Sequence, residues 1–177
     1  KDSPSRLLVA EMMILANHIA AKYAQRHQVP IIYRTQDAPV DPITEEMIAE
    51  PLGFHKVRKL LRASSLSLYP SGHSGLGLSV YTQLTSPLRR FADLVMQRQL
   101  LAHLIGEALP YNQEELFKVL ETAERTAREA RAVEGEAKKR WFMQYLKQTW
   151  GNNPLNVLVI EEVKFGYRVE IQPWGVE

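Results

Sequence analysis

The sequence contains no cysteine. That excludes a disulfide framework, a thiolate zinc site and a cysteine nucleophile, and it fits a reducing compartment. Aspartate is scarce, confined to Asp2, Asp37, Asp41 and Asp93, with no two adjacent. Asp37 and Asp41 flank Pro39 in a loop and make a weak carboxylate pair at best. The histidines show no metal-ligand spacing, so neither a complete metal site nor a Ser/His/Asp triad is expected within these residues. No uninterrupted apolar run approaches the roughly 18 residues of a membrane span. Residues 7–16, LLVAEMMILA, have the length of a signal h-region. They carry Glu11, run into Asn17 and His18, and precede no small-residue cleavage site, so they read as a buried helix.

Two apparent motifs also fail. Gly72-His73-Ser74-Gly75 misses the G-x-S-x-G nucleophile elbow by one position. Gly72, Gly75 and Gly77 do not make G-x-G-x-x-G, and no helix follows them directly, so a dinucleotide or P-loop reading fails as well. The glycines suit tight turns or a close backbone approach.

What is present describes a globular chain: 177 residues, 45% apolar and 24% charged, enough for one domain or slightly more. A net charge of +2 and a pI near 8.8 are compatible with nucleic acid without demanding it. The chain opens on Lys-Asp-Ser-Pro rather than Met and ends in strand-like residues, as expected of part of a longer polypeptide.

Pro4 introduces a helical stretch over about 5–27, capped by Ser3 or Ser5. Ala10, Met13, Asn17, Ala20, Ala21 and Ala24 share its packing face, and Glu11, His18, Lys22 and Gln25 share a solvated one. Asn17 is then a buried amide that needs partners. Residues 29–42 read as a short strand and a proline-punctuated loop, followed by helices at about 44–49 and 51–63. In the second of these, Val57, Leu60 and Leu61 point inward. His55, Lys56, Arg58, Lys59 and Arg62 form a basic exterior, which suits either phosphates or plain solvation. Residues 65–84 mix β-prone residues with a glycine loop.

A helix is expected from Pro87 to about Gly106, then a longer one over about 113–150. The latter has a stripe running Leu116, Val119 or Leu120, Ala123, Ala127, Ala130, Val133, Ala137, Trp141 and Tyr145. Its charges fall into i,i+4 pairs, namely Glu121–Arg125, Glu124–Arg128, Glu134–Lys138 and Glu136–Arg140. Gly135 in mid-helix suggests a bend or a close contact. Gly151-Asn152-Asn153-Pro154 stops the helix, and residues 155–177 alternate like a β-meander.

The segment Tyr81-Thr-Gln-Leu-Thr-Ser-Pro-Leu-Arg-Arg-Phe-Ala-Asp-Leu94 carries an electrostatic oddity. With Ser86 as N-cap and Pro87 at the first helical position, Arg89 and Arg90 fall where the helix dipole disfavours cations. A phosphate held by the free N–H groups of Leu88 and Arg89 would remove the objection, with the arginines completing its cradle and Asp93 steadying Arg89. The alternative is that Asp93 and a remote glutamate merely neutralise both arginines.

This segment resembles the Tyr-x-His-x-Thr-Ser-Pro-Ile-Arg-Arg-Tyr-x-Asp-Leu motif of the RNB family of exoribonucleases, the ribonuclease II and ribonuclease R enzymes. Three further blocks agree in order and spacing. Residues 8–17 are similar to the family's Glu-Phe-Met-x-x-Ala-Asn helix, Tyr33–Pro39 to its Tyr-Arg-x-His-x-x-Pro, and Gly72–Leu76 to its Gly-His-Phe-Gly-Leu. The resemblance covers about Leu8 to Tyr145.

It implies an α+β fold, a predominantly helical C-terminal half of an RNB catalytic domain over residues 1–152. The first strands of an OB-type RNA-binding domain would follow at 153–177. It implies processive 3′→5′ hydrolysis of single-stranded RNA to nucleoside 5′-monophosphates, assisted by Mg²⁺, by an enzyme that is cytoplasmic and monomeric at full length, with no membrane partner. The family's aspartate metal cluster has no counterpart here, so the ligands are expected outside this chain, in the N-terminal half of the same enzyme. Arg89 maps to the family's phosphate-contacting arginine and is the expected catalytic residue. RNA contacts are expected from Arg34, His73, Tyr81, Ser86 and Arg90, from Lys56 and Lys59, and from Glu136 (or Glu134, since the match slips around Gly135). Glutamine replaces histidine at Gln36, Gln83 and Gln97, keeping hydrogen-bonding capacity without a proton that titrates near neutrality. The non-enzymatic rival is a helical RNA-binding or protein-interaction module.

Overall fold

The structure is a computed structural model that describes residues 3–49, 52–151 and 153–176. It is α+β and mainly helical, and it divides into two compact units, Lys1–Pro42 with Leu60–Thr126, and Ile43–Lys59 with Ala127–Glu177.

The first unit opens with α1, Pro4–Arg26, whose start is fixed by Ser3 as N-cap accepting from the Arg6 N–H and by Pro4 at the first turn. Asn17, Ala21 and Ala24 of its small-residue face are buried, as the periodicity predicts. The reading of residues 7–16 as buried is corrected: Leu7, Leu8, Val9 and Met12 are all more than half exposed. By length and composition α1 could cross a bilayer. His18 is not purely solvated either, since its Nδ1 lies 2.7 Å from the Val80 carbonyl oxygen.

Strand β1, Tyr33–Thr35, pairs antiparallel with β2, Ser65–Ser67, in the register Tyr33↔Ser67. Helix α4, Phe91–Leu104, supplies Val95, Met96 and Leu100 to a core that also takes Ala21, Ala24, Ile31, Val80 and Leu116. Two buried carboxamides tie loops to this core. Asn17 is one. The other is Gln99, whose Nε2 donates to the carbonyls of Pro30 (3.0 Å) and Tyr111 (2.7 Å), and whose Oε1 accepts from the Tyr111 N–H. Each buried amide is satisfied on both sides, which removes the cost of its desolvation.

Helix α5, Gln113–Tyr145, continues into a π-helical turn at Leu146–Trp150, where the Gly151 N–H donates to the Leu146 carbonyl. Leu116 is fully buried, and Val119 and Leu120 pack on the core. The expected stripe then fails: Val133 is 68% and Trp141 66% exposed. Of the expected ion pairs, Glu134–Lys138 closes at 2.6 Å, whereas Glu124 accepts the Leu66 N–H and so caps the β2 strand. A Cβ at Gly135 would meet nothing within 4 Å, so no close contact explains that glycine.

In the second unit, α2 (Glu45–Ala49) and α3 (Gly53–Leu60) are shorter than the pattern suggests, and the Pro51 start lies outside the described residues, as does Asn152 in the helix stop. A Cβ at Gly53 would approach the Met47 carbonyl oxygen to 2.1 Å, so only glycine permits this turn. His55 is buried rather than part of a basic exterior, 3.0 Å from Glu170. Leu61 of the first unit, assigned to an inward face, is 41% exposed. Strands β3 (Val157–Val163) and β4 (Gly166–Ile171) form an antiparallel hairpin with a register shift between Val159 and Glu161. Phe142, Tyr145, Trp150 and Trp174 cluster edge to face in the same unit, with Trp150 and Trp174 5.3 Å apart.

Candidate functional site

The arginine segment folds differently from the expected helix start. Pro87, Leu88 and Arg89 form a turn, and α4 begins only at Phe91, with Arg90 as its N-cap. The N–H groups of Arg89 and Arg90 both donate to the Ser86 carbonyl, at 3.2 and 3.0 Å. The free Arg89 N–H expected from a helix starting at Pro87 is therefore absent, because the backbone closes a turn on itself first. Ser86 is not the helix cap either. It closes the turn, and its own N–H donates to Asp93 Oδ2 at 2.9 Å.

Asp93 resolves the oddity of cations at a helix start. It is 1% exposed and sits in the first turn, where the dipole favours a carboxylate. Its partner is Arg90, 2.7 Å from guanidinium nitrogen to Oδ2, and not Arg89 as the i,i+4 spacing suggests. The turn places Arg89 outside the helix and points its side chain elsewhere. Arg89 is exposed and makes no ion pair or side-chain hydrogen bond among the described residues. The two neighbouring arginines thus differ in kind. Arg90 is a tether and Arg89 is a free guanidinium on a fixed turn.

The strand-like residues before the turn are anchored from α1. Asn17 Nδ2 donates to the Tyr81 hydroxyl at 2.9 Å, and Asn17 Oδ1 accepts the Leu84 N–H at 3.0 Å. Gln97 Nε2 donates to the Leu84 carbonyl at 2.7 Å. Tyr81 is itself buried, with His73 edge-on to its ring at 5.6 Å. The Arg34 N–H donates to the Tyr81 carbonyl, while the Arg34 guanidinium donates to Ser64 Oγ. Burial, and then the Arg34 charge, hold the His73 imidazole below its usual range, so it is neutral at pH 7. The Nδ1 of His73 and the Nε of Arg90 are both buried without a hydrogen-bond partner among the described residues.

Gln36 explains the neighbouring glycine motif. Its Nε2 donates to the Arg62 carbonyl at 2.6 Å and its Oε1 accepts the Gly75 N–H at 3.0 Å. A Cβ at Gly75 would lie 2.5 Å from that oxygen. A neutral amide, with both a donor and an acceptor, satisfies this position.

Arg34, His73 and Tyr81 are thus brought together, and Ser86 joins Arg90 through Asp93. The remaining expected contacts lie in the second unit. Lys59 is held by Glu161 at 2.5 Å, and Arg168 reaches the same carboxylate at 2.6 Å. The Lys59 hydrogen bond, with the Arg168 and Lys59 charges behind it, lowers the Glu161 carboxyl below its usual range. Lys56 and Glu136 are exposed on helices. Asn17 and Gln97 hold the segment before the turn without having been assigned to it from sequence, and Asp93 was assigned to it but to the wrong arginine. Asn17 was legible as a polar residue on an apolar face, but its partners, 64 and more residues away, were not.

No group of three metal-ligating side chains occurs among the described residues. Asp93, the carboxylate at the arginine turn, is committed to Arg90 and Ser86. The residues present do not fit a divalent cation.

The chain thus sets an arginine turn, braced by a buried carboxylate, on an α+β scaffold. The RNB domain family matches residues 1–106, and the chain belongs to that family. It is 38% identical over 151 residues to an uncharacterized ribonuclease of Synechocystis, covering 84% of this chain and 23% of that protein. It is 29% identical over 161 residues to the chloroplastic/mitochondrial ribonuclease II of Arabidopsis thaliana, covering 89% and 20%. Mycoplasma genitalium RNase R, solved with ribose-methylated single-stranded RNA, superimposes with a TM-score of 0.82 at 17% identity, over 99% of this chain and 33% of that one. At that identity the likeness concerns the fold. The chain spans about a fifth of the length of the curated relatives it matches.

Proposed function

We propose that this chain supplies the arginine half of a 3′→5′ exoribonuclease site acting processively on single-stranded RNA and releasing nucleoside 5′-monophosphates. One observation carries the reading: Arg89 stands exposed, and unpaired among the described residues, on a turn whose backbone and neighbouring arginine are fixed. Its fork of donors suits a phosphate, and because the turn is already rigid, little reorganisation accompanies binding. Arg89 is the residue that stabilises charge developing on the scissile phosphate. Arg90, Ser86 and Asp93 hold the turn. Arg34, His73 and Tyr81 form the wall beside it, and Lys56 and Glu136 are assigned to the RNA path. Lys59 contributes less, because Glu161 already neutralises it.

The Mg²⁺ that the reading requires is assigned to carboxylates outside these residues, in the N-terminal half of the enzyme. Residues 153–177 are assigned to the beginning of an OB-type domain, and the whole enzyme to a cytoplasmic monomer. One relative's name places it in chloroplasts and mitochondria, so cell fractionation is the measurement of location. The test of function is single-turnover hydrolysis of 3′-labelled RNA by the full-length enzyme and its Arg89→Ala variant. A variant that hydrolyses RNA at the wild-type rate sinks the assignment.

The second reading, a non-catalytic RNA-binding or protein-interaction module, draws on the lack of a carboxylate cluster among the described residues. Full-length protein that binds RNA and releases no monophosphate with Mg²⁺ present decides for it.

A further inference from the structure

A cavity of about 250 Å³ opens within the first unit beside the end of α1, and no residue of the arginine turn lines it. Ala24, which does, lies seven residues beyond Asn17, about 10 Å along the helix axis. The cavity is therefore distinct from the turn that Asn17 anchors. Side chains alternate along a strand. On β1, Arg34 reaches Ser64, and the neighbouring Tyr33 faces the other way and lines the cavity.

Tyr33 is 4% exposed, yet its hydroxyl has no hydrogen-bond partner among the described residues. A buried phenol ordinarily finds one. Burial also raises its pKa above the usual tyrosine range, so the group stays neutral and can both donate and accept.

The rest of the lining narrows the ligand. No Lys, Arg, His, Asp or Glu lines the cavity among the described residues. An ion or zwitterion entering it would lose hydration without gaining a counter-charge. Leu68 and Pro70 supply apolar wall. Gln25 in the last turn of α1, Gln28 just beyond it and Gln113 at the start of α5 bring three carboxamides to one opening. Gln28 stands at φ 55°, so its carboxamide is carried at a backbone position that favours glycine. A carboxamide sets a donor beside an acceptor, and the N6/N7 edge of adenine offers the matching pair. The volume lies under the ~300 Å³ at which pockets for drug-sized ligands begin, so one such ring system is what it accommodates.

We propose that this cavity binds an adenine base, packed on Leu68 and Pro70 and hydrogen-bonded by the Tyr33 hydroxyl and the carboxamides of Gln25, Gln28 and Gln113. The chemistry stands without the exoribonuclease reading, which bears only on whether the base arrives as free adenosine or within a strand.

The test is calorimetric titration of the full-length enzyme with adenosine, with Mg²⁺ withheld so that no strand is cut. Saturable binding with a Kd below ~1 mM is expected. Inosine, which lacks the N6 amino group, and uridine should bind about tenfold more weakly or worse. Tyr33→Phe should weaken adenosine by about threefold or more. Gln28→Gly should do the same and keep its circular dichroism, since glycine suits that φ. Arg89→Ala should bind adenosine as the wild type does.

No saturation up to ~5 mM overturns the proposal, as does equal affinity for inosine and uridine or undiminished binding by both pocket variants. Binding lost in Arg89→Ala alone places adenosine at the arginine turn and overturns it as well. Displacement of adenosine by oligo(A) and not by oligo(U) identifies a base within a strand as the source, and adenosine that oligo(A) leaves in place identifies the free nucleoside. An enzyme that binds adenosine in this way and releases no monophosphate once Mg²⁺ is restored refutes the nuclease reading and leaves the adenine site standing.

Discussion

Judged by their basic residues, the arginine turn of one unit and helix α3 of the other suit phosphate equally well, yet they prove to be opposites. In the turn, the carboxylate is used internally: Asp93 is buried, takes Arg90 and the Ser86 N–H, and leaves Arg89 unclaimed. On α3 a carboxylate claims the cation itself, Glu161 taking Lys59, and Glu170 lies 3.0 Å from His55. A count of basic residues does not distinguish these cases. Whether a positive charge can serve a ligand depends on where the nearest carboxylate spends its own charge.

The largest effect expected along this contrast is at Arg89. Arg89→Ala in the full-length enzyme should lower turnover by at least ~100-fold while RNA affinity stays within a few-fold, the signature of a lost transition-state contact. Stopped-flow rates and filter binding measure the two halves. If affinity and turnover fall together, Arg89 is a simple binding residue and the contrast with α3 is one of degree.

Breaking the internal side comes next. Asp93→Ala leaves Arg90 and the Ser86 N–H without their acceptor. Because the Arg90 side chain is 30% exposed, the loss should fall below the range for a wholly buried pair, at about 2 kcal/mol, read from urea midpoints. Asn17→Ala should cost about 1–2 kcal/mol, because the Leu84 N–H and the Tyr81 hydroxyl lose a buried partner. It should also loosen the turn enough to slow catalysis. A variant with normal stability would show that water replaces the amide.

His73 gives a pH-dependent effect. Its folded pKa lies below the usual imidazole value near 6.5. Between that value and its depressed native one, the unfolded chain binds more protons than the folded chain, so stability falls as pH drops below about 6.5. The urea midpoint of the wild type should therefore fall more between pH 7.5 and 5.5 than that of His73→Gln. Equal falls would place the titrating group elsewhere.

The smallest effect is expected at Lys59. Its pair with Glu161 is exposed, so Lys59→Ala should change stability by less than about 1 kcal/mol and RNA affinity by less than about twofold. A tenfold loss of affinity would restore α3 as an RNA-binding face and erase the contrast.

Much of this was legible in the sequence because it depends on local pattern. Ser3-Pro4 marks the start of α1, small residues at helical spacing mark its inner face, and Gly151 marks the end of the long helix. The motif blocks identified the family. The long-range partners were not legible. Asn17 reaches Tyr81 and Leu84, Gln36 reaches Arg62 and Gly75, and Glu124 leaves its helical partner for the Leu66 N–H. Spacing along one helix cannot reveal a competitor supplied by another element.

Residue types and spacing alone determined that a mainly helical chain without thiols or an aspartate cluster carries an arginine motif at the start of a helix. Tertiary structure decided which arginine is free. The Ser86 carbonyl closes a turn before α4 begins, and that single turn rotates Arg90 onto Asp93 and Arg89 away from it. Backbone hydrogen bonds set side-chain direction, and direction settles which of two identical neighbours pairs with the buried carboxylate.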